Sequence, residues 1–463
     1  MLPTFISTHL LTLHALVTVL ATLAYVGLSY AVPQRRHPTA AIAWMLFIVL
    51  VPYVALPAFL TFGSRKLRRP AKPTSNRPHA YFTQDWAVDT LLALGQRPPA
   101  HYTDLRIHKD GAEAGQHLLA LIRSAKHSID ICTFILGRDA LGSALLDVLF
   151  ERARNGVRVR LLLDGFGDLM AGRPSLAPLV KAGGAFSLFA PPWRAIFRGG
   201  LNLREHRKFV VTDAGHGSAH LWCGGRNLAC EYFDGSPGVS AWRDLTFDLR
   251  GALVGQAARM FEDDWALANG QRAAAHAADA LQDGSRPTAQ LVRSGPDQRD
   301  DAIYSMLLSA TYHASARIAL VTPYFVPDSA LLGALCLAAR RGVAVDLVLP
   351  AKSNHAMSDL ARRRALRALT QAGAHVWFAP GMLHAKLAIF DGALALAGSA
   401  NLDNRSLFLN YETMVAFREP VDVGAFREWF EVERDRCGAY TAPRPGLLRD
   451  VGDGLLLWLT FQL

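Results

Sequence analysis

Two stretches of this sequence carry the same arrangement of side chains that can act on an anionic group. The shared pattern is a His, a Lys two positions later and an Asp five positions after that, and its members are His206, Lys208 and Asp213, and then His384, Lys386 and Asp391. Residues two apart on an extended strand share a face, so each His and its Lys point into a common cleft. An imidazole can act as a nucleophile or carry a proton, and an ammonium group attracts an anion.

A second short motif follows each of these patterns. The first is Gly224-Gly-Arg-Asn227 and the second is Gly398-Ser399-Ala-Asn401. The His-to-Asn distance is four residues longer in the first copy, and the extra residues lie in a longer turn after Asp213. Strand register is therefore preserved, and each Asn is predicted to lie beside its His and Lys. A single copy of such a pattern would be weak evidence, but two copies at matching places indicate one bipartite catalytic site.

The elements that position these motifs are also repeated. Segments near residues 125–133 and 155–163 reappear near residues 314–322 and 341–349, an offset of almost 190 residues. Within the first copy the pattern predicts helices over 116–125 and 140–154 and strands over 128–135 and 157–164. This alternation predicts an α/β fold of two fused, duplicated βα sandwich domains, over residues 106–288 and 289–463. Neither a dinucleotide-binding nor a P-loop glycine motif occurs at a suitable place, so nucleotide binding is unsupported.

The N-terminal region differs in composition from the rest of the chain. Residues 1–64 contain two long uncharged runs separated by the short turn Gln34–His37. Each run exceeds the roughly 20 residues that cross a bilayer as a helix, so we predict a two-helix membrane anchor with spans near 10–32 and 40–62. Pro52 and Pro57 are expected to kink the second span. Residues 65–105 are rich in Pro and Arg at their start and are predicted to form a linker.

Charge distribution predicts the orientation of this anchor. The segment after the second run carries five Lys and Arg residues between positions 65 and 72, whereas the turn between the runs carries two. The excess of positive charge predicts a cytoplasmic body. The five cysteines form no metal-binding or disulfide pattern, which fits a reducing compartment. The net charge of +10 favours an anionic partner without choosing among lipid, nucleic acid and metabolite.

Taken together, these motifs resemble the phospholipase D superfamily and, within it, the bacterial cardiolipin synthases. The resemblance covers nearly the whole chain. It includes Trp242-Arg-Asp, Thr322-Pro-Tyr-Phe-Val-Pro-Asp and the long, specific stretch from Gly398 to Glu412. It implies two phospholipase D-like domains behind a transmembrane helical hairpin, in the inner membrane of a bacterium.

The resemblance implies roles for the motif residues. His206 is expected to be the nucleophile that forms a phosphohistidine, and His384 the general acid and base. Positive charge and hydrogen-bond donors for the phosphate come from Lys208, Lys386, Asn227, Asn401 and Ser399, without a metal or other cofactor. Asp213 and Asp391 complete the catalytic motifs, but we expect them to brace the strand ends rather than touch substrate.

Each imidazole needs a carboxylate to fix its tautomer. Glu231 and Glu412 are the expected partners, since they lie downstream of the first and second motifs. Cys230 stands where the family usually has an Asp, so Asp244 is the alternative to Glu231.

The resemblance also implies a substrate. Phosphatidyl would pass from one phosphatidylglycerol to another, giving cardiolipin and glycerol. A hydrolytic phospholipase D and a synthase that uses phosphatidylethanolamine remain open at this point. A nuclease would use the same motif pair, but the two predicted membrane spans argue against a nucleic-acid substrate.

Overall fold

The computed structural model describes residues 2–31, 38–62, 83, 85–195, 202–235, 238, 240–274, 287–298, 300–443 and 446. The chain divides into two compact units. One comprises Met1–Thr74 with the short segments Ala190–Leu203 and Pro296–Arg299, and the other comprises Ser75–Phe189, Arg204–Gly295 and Asp300–Leu463. The basic stretch at 65–72 and the turn at 34–37 lie outside the described residues, as do residues 275–286 at the end of the first predicted domain and residues 447–463.

Three apolar helices form the N-terminal part of the first unit: α1 (Leu2–Ala31), α2 (Pro38–Leu50) and α3 (Pro52–Phe62). Among the described residues, α1 is the one helix long and apolar enough to cross a membrane, over Thr12–Ser29. The second predicted span is divided at Val51, between α2 and α3, immediately before Pro52, which has no backbone N–H. Tyr25 of α1 packs edge-on against Phe59 of α3, with 4.8 Å between ring centroids.

Among the described residues, the second unit contains two large sheets and one small parallel sheet of two strands. The helices and strands of its first half are α4 (Trp86–Ala93), β1 (Ala100–His101), β2 (Thr103–Ile107), α5 (Gly111–Ser124), β3 (Ser128–Thr133), α6 (Ala140–Arg154), β4 (Arg158–Asp164), α7 (Gly165–Ala171), α8 (Ala177–Lys181), β5 (Ala185–Phe189), β6 (Phe209–Thr212), β7 (His220–Gly224), β8 (Thr246–Arg250) and α10 (Ala252–Ala268); α9 (Pro192–Ala195) belongs to the first unit. Seven of these strands form a sheet in the order β2-β8-β7-β6-β3-β4-β5.

The second half follows the same plan. Its elements are β9 (Thr288–Ser294), α11 (Ala302–His313), β10 (Arg317–Val321), β11 (Phe325–Val326), α12 (Ser329–Arg340), β12 (Ala344–Pro350), α13 (Ala356–Gln371), β13 (His375–Ala379), β14 (Leu387–Phe390), β15 (Leu394–Gly398), β16 (Leu402–Asp403), α14 (Asn404–Phe408), β17 (Glu412–Phe417), α15 (Pro420–Arg434) and β18 (Gly438–Ala439). The nine-stranded sheet runs β1-β9-β17-β15-β14-β10-β12-β13-β18.

The strand order of the two sheets shows the duplication directly. The run β9-β17-β15-β14-β10-β12-β13 in the nine-stranded sheet matches the whole seven-stranded sheet, position by position. The nine-stranded sheet has β1 and β18 as additional edge strands. In each sheet three neighbouring strands are parallel (β3-β4-β5 and β10-β12-β13), and the motif strands β6 and β14 pair antiparallel with the first of them. Each half has its own buried apolar core. The predicted duplicated α/β architecture is therefore present.

The predicted linker over 65–105 is wrong at its C-terminal end. Asp85 caps α4 by accepting a hydrogen bond from the backbone N–H of Ala87 at 2.9 Å. Ala87 and Leu91 of α4 are buried in the core of the second domain. β1 pairs with β9 of that same domain. The chain therefore contributes to the second domain before it builds the first, because the apolar face of α4 needs a core to pack against.

Element boundaries near the first motif differ only slightly from the predictions. The helix predicted over 116–125 begins at Gly111, where the Asp110 carboxylate accepts from the Glu113 backbone N–H at 2.9 Å. The helix over 140–154 ends where predicted. All five cysteines are free thiols.

Candidate active site

Each His-x-Lys pair lies immediately before a central strand of its sheet. His206 and Lys208 precede β6, and His384 and Lys386 precede β14. Both Lys side chains are buried, with about 1% of each residue exposed. The apolar residues that follow form β6 and β14, which are buried along their whole length and hold the pairs in place.

His206 is oriented by a carboxylate from the second half of the chain. Its Nδ1 lies 2.8 Å from Oε1 of Glu412, which is buried at the start of β17. The same oxygen accepts from Asn410 Nδ2 at 3.1 Å, and the other carboxylate oxygen accepts from the Ser399 hydroxyl. Glu412 is thereby fixed by three side chains, and its hydrogen bond to Nδ1 leaves Nε2 of His206 with the free lone pair.

His384 is oriented by a carboxylate from the first half. Its Nδ1 lies 2.8 Å from Oδ2 of Asp244, which is fully buried just before β8. The other Asp244 oxygen accepts from the backbone N–H of Leu245 at 2.7 Å. Each imidazole therefore depends on the opposite half for its orientation.

Backbone hydrogen bonds also connect each motif His to the opposite half. The His206 N–H donates to the Tyr411 carbonyl at 3.0 Å, and the His384 N–H donates to the Arg243 carbonyl at 2.6 Å. Isolated parallel bridges join Glu205 to Tyr411 and Arg243 to Leu383. The residue before each orienting carboxylate is thus bound to the motif His of the other half, and hydrogen bonds join the two motifs across the halves.

The prediction that Glu231 orients His206 is wrong. Glu231 lies in a 3-10 turn over Cys230–Tyr232, and His206 pairs with Glu412 instead. Strand register explains the error: Gly224 of β7 faces Thr246 of β8, as Gly398 of β15 faces Met414 of β17. Two residues before these partners stand Asp244 and Glu412. The Gly-x-x-Asn motif of the first half lies six residues farther from its carboxylate than the motif of the second half does. Distance along the chain therefore predicted Glu231 instead of Asp244.

The two Lys side chains make equivalent contacts within their own halves. Lys208 Nζ donates to the His206 carbonyl at 2.7 Å, and Lys386 Nζ donates to the His384 carbonyl. Lys386 Nζ also lies 3.0 Å from His384 Nε2. Burial lowers the pKa of Lys208 to about 8 and that of Lys386 to about 7. Lys208 further lowers the pKa of Lys386, because the two positive charges repel each other.

The imidazoles are held neutral. Burial lowers the pKa of His206 to about 4, with Lys208 and Lys386 acting in the same direction against the Glu412 carboxylate. Burial and then Lys386 lower the pKa of His384 to about 3, against the attraction of Asp244. Burial raises the pKa of Glu412 and Asp244, but the facing His and Lys groups outweigh burial, so the pKa of each acid is below its usual value.

The two Asn residues of the Gly-x-x-Asn motifs are buried and bound in equivalent ways. Asn227 Nδ2 donates to the Tyr232 hydroxyl at 2.7 Å, and Asn401 Nδ2 donates to Ser406 Oγ at 3.1 Å. Within the described part of the chain, the Oδ1 atom of each has no hydrogen-bond partner. Their amide groups are therefore fixed in the interior of the two halves.

Asp213 and Asp391 bind backbone and not the other catalytic side chains. Asp213 accepts from the N–H groups of Lys126, His127 and Ser128, the nearest at 2.7 Å. Asp391 accepts from Ser315, Ala316 and Arg317 at 2.7 to 2.8 Å. Both adopt the left-handed backbone region, with φ of 51° and 50°. Each carboxylate ties the end of its motif strand to the start of the neighbouring strand.

Aromatic rings surround the imidazoles. Phe134 lies 5.3 Å from His206 between ring centroids. Tyr232, Trp242 and Tyr324 lie 5.1, 5.8 and 6.4 Å from His384. The site therefore combines buried cations with an apolar lining.

Two contributors were not singled out from the sequence. Asn410 binds Glu412 and lies two residues before it, in the bend that leads into β17. Arg207, between His206 and Lys208, points to the opposite side and is fully buried. Its guanidinium donates to Asp264 at 2.6 Å and to the carbonyls of Glu412 and Ser294 at 3.2 and 3.0 Å. No sequence signal identified this link between the halves.

Comparisons with known proteins agree with this architecture. Residues 118–265 and 307–434 match the family model described as cardiolipin synthase, PLD-like domain. A cardiolipin synthase A from Pseudomonas aeruginosa is 32% identical over 85% of this chain and 84% of its own length. A cardiolipin synthase 1 from Bacillus cereus is 29% identical over 92% of this chain and 89% of its own length.

The crystal structure of phosphatidylserine synthase from Haemophilus influenzae superposes with a TM-score of 0.64 at 14% identity, over 82% of this chain and 100% of that one. That likeness supports the fold. The duplicated sheets and paired His-x-Lys motifs define a protein of the phospholipase D superfamily. The chain belongs to the family of cardiolipin synthases with PLD-like domains, and it is an enzyme of the phosphatidyltransferase type.

Proposed function

We propose that this enzyme makes cardiolipin by transferring a phosphatidyl group from one phosphatidylglycerol to the glycerol end of another, with release of glycerol. The observation that carries the proposal is the pair of imidazoles, each oriented through Nδ1 by a buried carboxylate of the other half. Such a pair supplies one group that attacks phosphorus and one that moves a proton, as two successive transfers require.

In the first half-reaction His206 attacks the donor phosphorus. Its Nδ1 is engaged by Glu412, so Nε2 is the attacking atom. The lowered pKa of His206, about 4, keeps this nitrogen unprotonated at neutral pH. A phosphatidyl–histidine bond forms as the bond from phosphorus to the glycerol oxygen breaks, and protonated His384 gives its proton to that oxygen.

In the second half-reaction His384 takes the proton from the hydroxyl of the second phosphatidylglycerol. That oxygen attacks phosphorus, cardiolipin forms, and His206 is released. The lowered pKa of His384, about 3, describes the site without substrate, where Lys386 adds repulsion. A bound phosphodiester anion adds the opposite charge and raises that pKa, which favours the protonated form of His384.

The remaining polar groups favour an anionic substrate. The ammonium groups of Lys208 and Lys386 are buried beside their own motif His residues, where they can attract a phosphate. In a site with little water such charges stabilise the additional negative charge of the transition state. The aromatic lining suits a lipid headgroup and limits access of water to the phosphohistidine.

The N-terminal helices support a membrane location for the substrate. α1 exposes a run of large apolar side chains, and these include Leu13, Leu16, Val19, Leu20 and Leu23. We propose that α1 and the α2–α3 pair form a two-span anchor in the bacterial inner membrane with the catalytic body in the cytoplasm, where anionic phosphatidylglycerol is attracted to the basic segment at 65–72.

Purified enzyme supplied with phosphatidylglycerol alone tests the proposal. Cardiolipin and free glycerol in equal amounts are expected. Phosphatidic acid as the main product would identify a hydrolase, and cardiolipin only after phosphatidylethanolamine is added would identify a different donor. His206→Ala and His384→Ala should each lower product formation by roughly a thousandfold or more while the thermal unfolding midpoint stays near that of the wild type.

A further inference from the structure

A cluster of potential metal ligands lies at the β2 edge of the first sheet, outside the catalytic groups. His108 follows β2, His117 lies on α5 and Asp248 lies in the middle of β8. Their ligand atoms all lie within 4.8 Å of one another. Three separate elements thus bring two imidazoles and a carboxylate to one point.

His108 is the unusual member of this cluster. The residue is 0% exposed, and its Nε2 lies 3.0 Å from Asp248 Oδ2. This contact pairs the two side chains, while the other ring nitrogen of His108, Nδ1, has no hydrogen-bond partner among the described residues. Buried charged groups are either paired or bound to a metal ion, so a buried imidazole beside a carboxylate and a second imidazole suits a shared cation.

The other oxygen of Asp248 is already held. Asp248 Oδ1 lies 2.9 Å from Nε2 of His220, at the start of β7. A carboxylate that binds a metal through one oxygen is commonly fixed by a hydrogen bond to the other. The contact with His220 therefore orients Asp248 so that its other oxygen, Oδ2, faces the cluster.

We propose that His108, His117 and Asp248 bind one zinc ion. Two imidazole nitrogens and one carboxylate oxygen suit zinc, and its bond lengths of about 2.0 to 2.2 Å put neighbouring ligands somewhat over 3 Å apart. The ring centroids of His108 and His117 are 5.1 Å apart, so a modest rotation of the half-buried His117 completes the approach. The fourth position is open to water.

Arg106 would compete with the zinc ion for His117. Its guanidinium Nη1 lies 2.8 Å from Nε2 and 3.1 Å from Nδ1 of His117. Arg106 is exposed, so its side chain can leave without disturbing the core. A guanidinium beside a ligand repels a metal cation, and its removal should therefore tighten zinc binding.

The ion would stabilise the edge of the first domain's sheet. It links the end of β2 and the helix α5 to β8, and Asp248 stands four residues after Asp244 on the same extended segment, roughly 13 Å along the strand. Zinc at this site is thus a structural brace beside the strand that carries an orienting carboxylate, rather than part of the transfer chemistry.

Zinc titration of the tag-free, full-length enzyme in detergent tests this inference. The protein is stripped with a chelator, titrated with zinc sulfate, desalted and analysed for metal by mass spectrometry, and cobalt is used in parallel for its visible absorption. The wild type should retain one zinc per chain. His117→Gln should lose retention, and His220→Gln should weaken binding by roughly 10- to 100-fold. Arg106→Ala should bind more tightly than the wild type.

His375→Gln is the matched control, since His375 is an exposed histidine on β13 of the second domain. It should bind zinc like the wild type. Equal zinc retention by His117→Gln and the wild type would show adventitious binding, and no retention by the wild type would show that the cluster is not a zinc site. Either result overturns the inference. Loss of binding only in the cluster variants, with unchanged unfolding midpoints in the stripped state, supports it.

Discussion

The two orienting carboxylates differ in how they are held. Glu412 receives hydrogen bonds from His206, Asn410 and Ser399, whereas Asp244 receives one from His384 and one from its neighbour's backbone. Gly225 stands where the second half has Ser399, and a Cβ there would lie 2.3 Å from an Asp244 carboxylate oxygen. A larger residue at position 225 would therefore clash with Asp244. The two halves place a carboxylate at the same point with different residue pairs, Glu412 with Ser399 and Asp244 with Gly225.

Removing either carboxylate charge should impair catalysis. Glu412→Gln and Asp244→Asn are expected to lower kcat by roughly a hundredfold or more, because each imidazole then loses the partner that fixes its tautomer and stabilises its charge. Product formation at saturating lipid measures this effect. Glu231→Gln is the matched control and should retain nearly full activity. A large loss in Glu231→Gln with little loss in Asp244→Asn would contradict the observed pairing.

The buried imidazoles also predict how stability depends on pH. The pKa of His206 is about 4 and that of His384 about 3, below the ordinary value of 6.5. Between these values and 6.5 the unfolded chain binds protons that the folded chain does not, so stability is lost as pH falls. Each group should contribute a loss of about 2 kcal/mol between pH 7 and pH 5.

Unfolding midpoints measured across that range for the wild type, His206→Gln and His384→Gln provide the check. Each variant should show a flatter decline below pH 6.5 than the wild type, since the glutamine does not titrate. Parallel declines in all three proteins would mean that the imidazoles are not held neutral.

At the scale of elements, the two motif Asp residues brace neighbouring strands. Asp213 is buried and Asp391 is exposed, although both accept three backbone N–H groups. Asp213→Ala should therefore cost about 1–3 kcal/mol or more in stability, because it leaves buried N–H groups without partners. Asp391→Ala should cost less, because water reaches those groups.

Thermal midpoints of the two alanine variants, with Asp213→Asn as a milder change that tolerates the left-handed backbone, test this role. Activity per folded molecule should stay near that of the wild type below the midpoint. A loss of activity without any loss of stability would instead place Asp213 in the chemistry.

The elements that could be predicted are those whose pattern is local. β3, β4 and α6 follow from apolar runs and spacing, and the duplication follows from repeated motifs. Non-local pairing could not be predicted. The contribution of α4 and β1 to the second domain depends on a core built about 200 residues later, and Asp244 was found only as an alternative because strand register, rather than chain distance, selects the partner of His384.

At the scale of the whole molecule, the exchange of carboxylates makes the two halves interdependent. His206 needs Glu412 and His384 needs Asp244, so one chain builds one site. A mixture of His206→Ala and His384→Ala chains is therefore expected to remain as inactive as either variant alone. The lipid product assay on coexpressed and copurified variants measures this. Recovery of about a quarter or more of wild-type activity would mean that halves are shared between chains.

In the proposed reaction His206 Nε2 forms the bond to phosphorus while His384 moves the proton. Rapid alkaline quenching of the enzyme with phosphatidylglycerol, followed by proteolysis and mass spectrometry, tests these two roles. A phosphatidyl adduct is expected on the peptide that contains His206, present in the wild type and absent from His206→Ala. An adduct on the peptide that contains His384, or product formation without any adduct on the protein, would overturn this assignment.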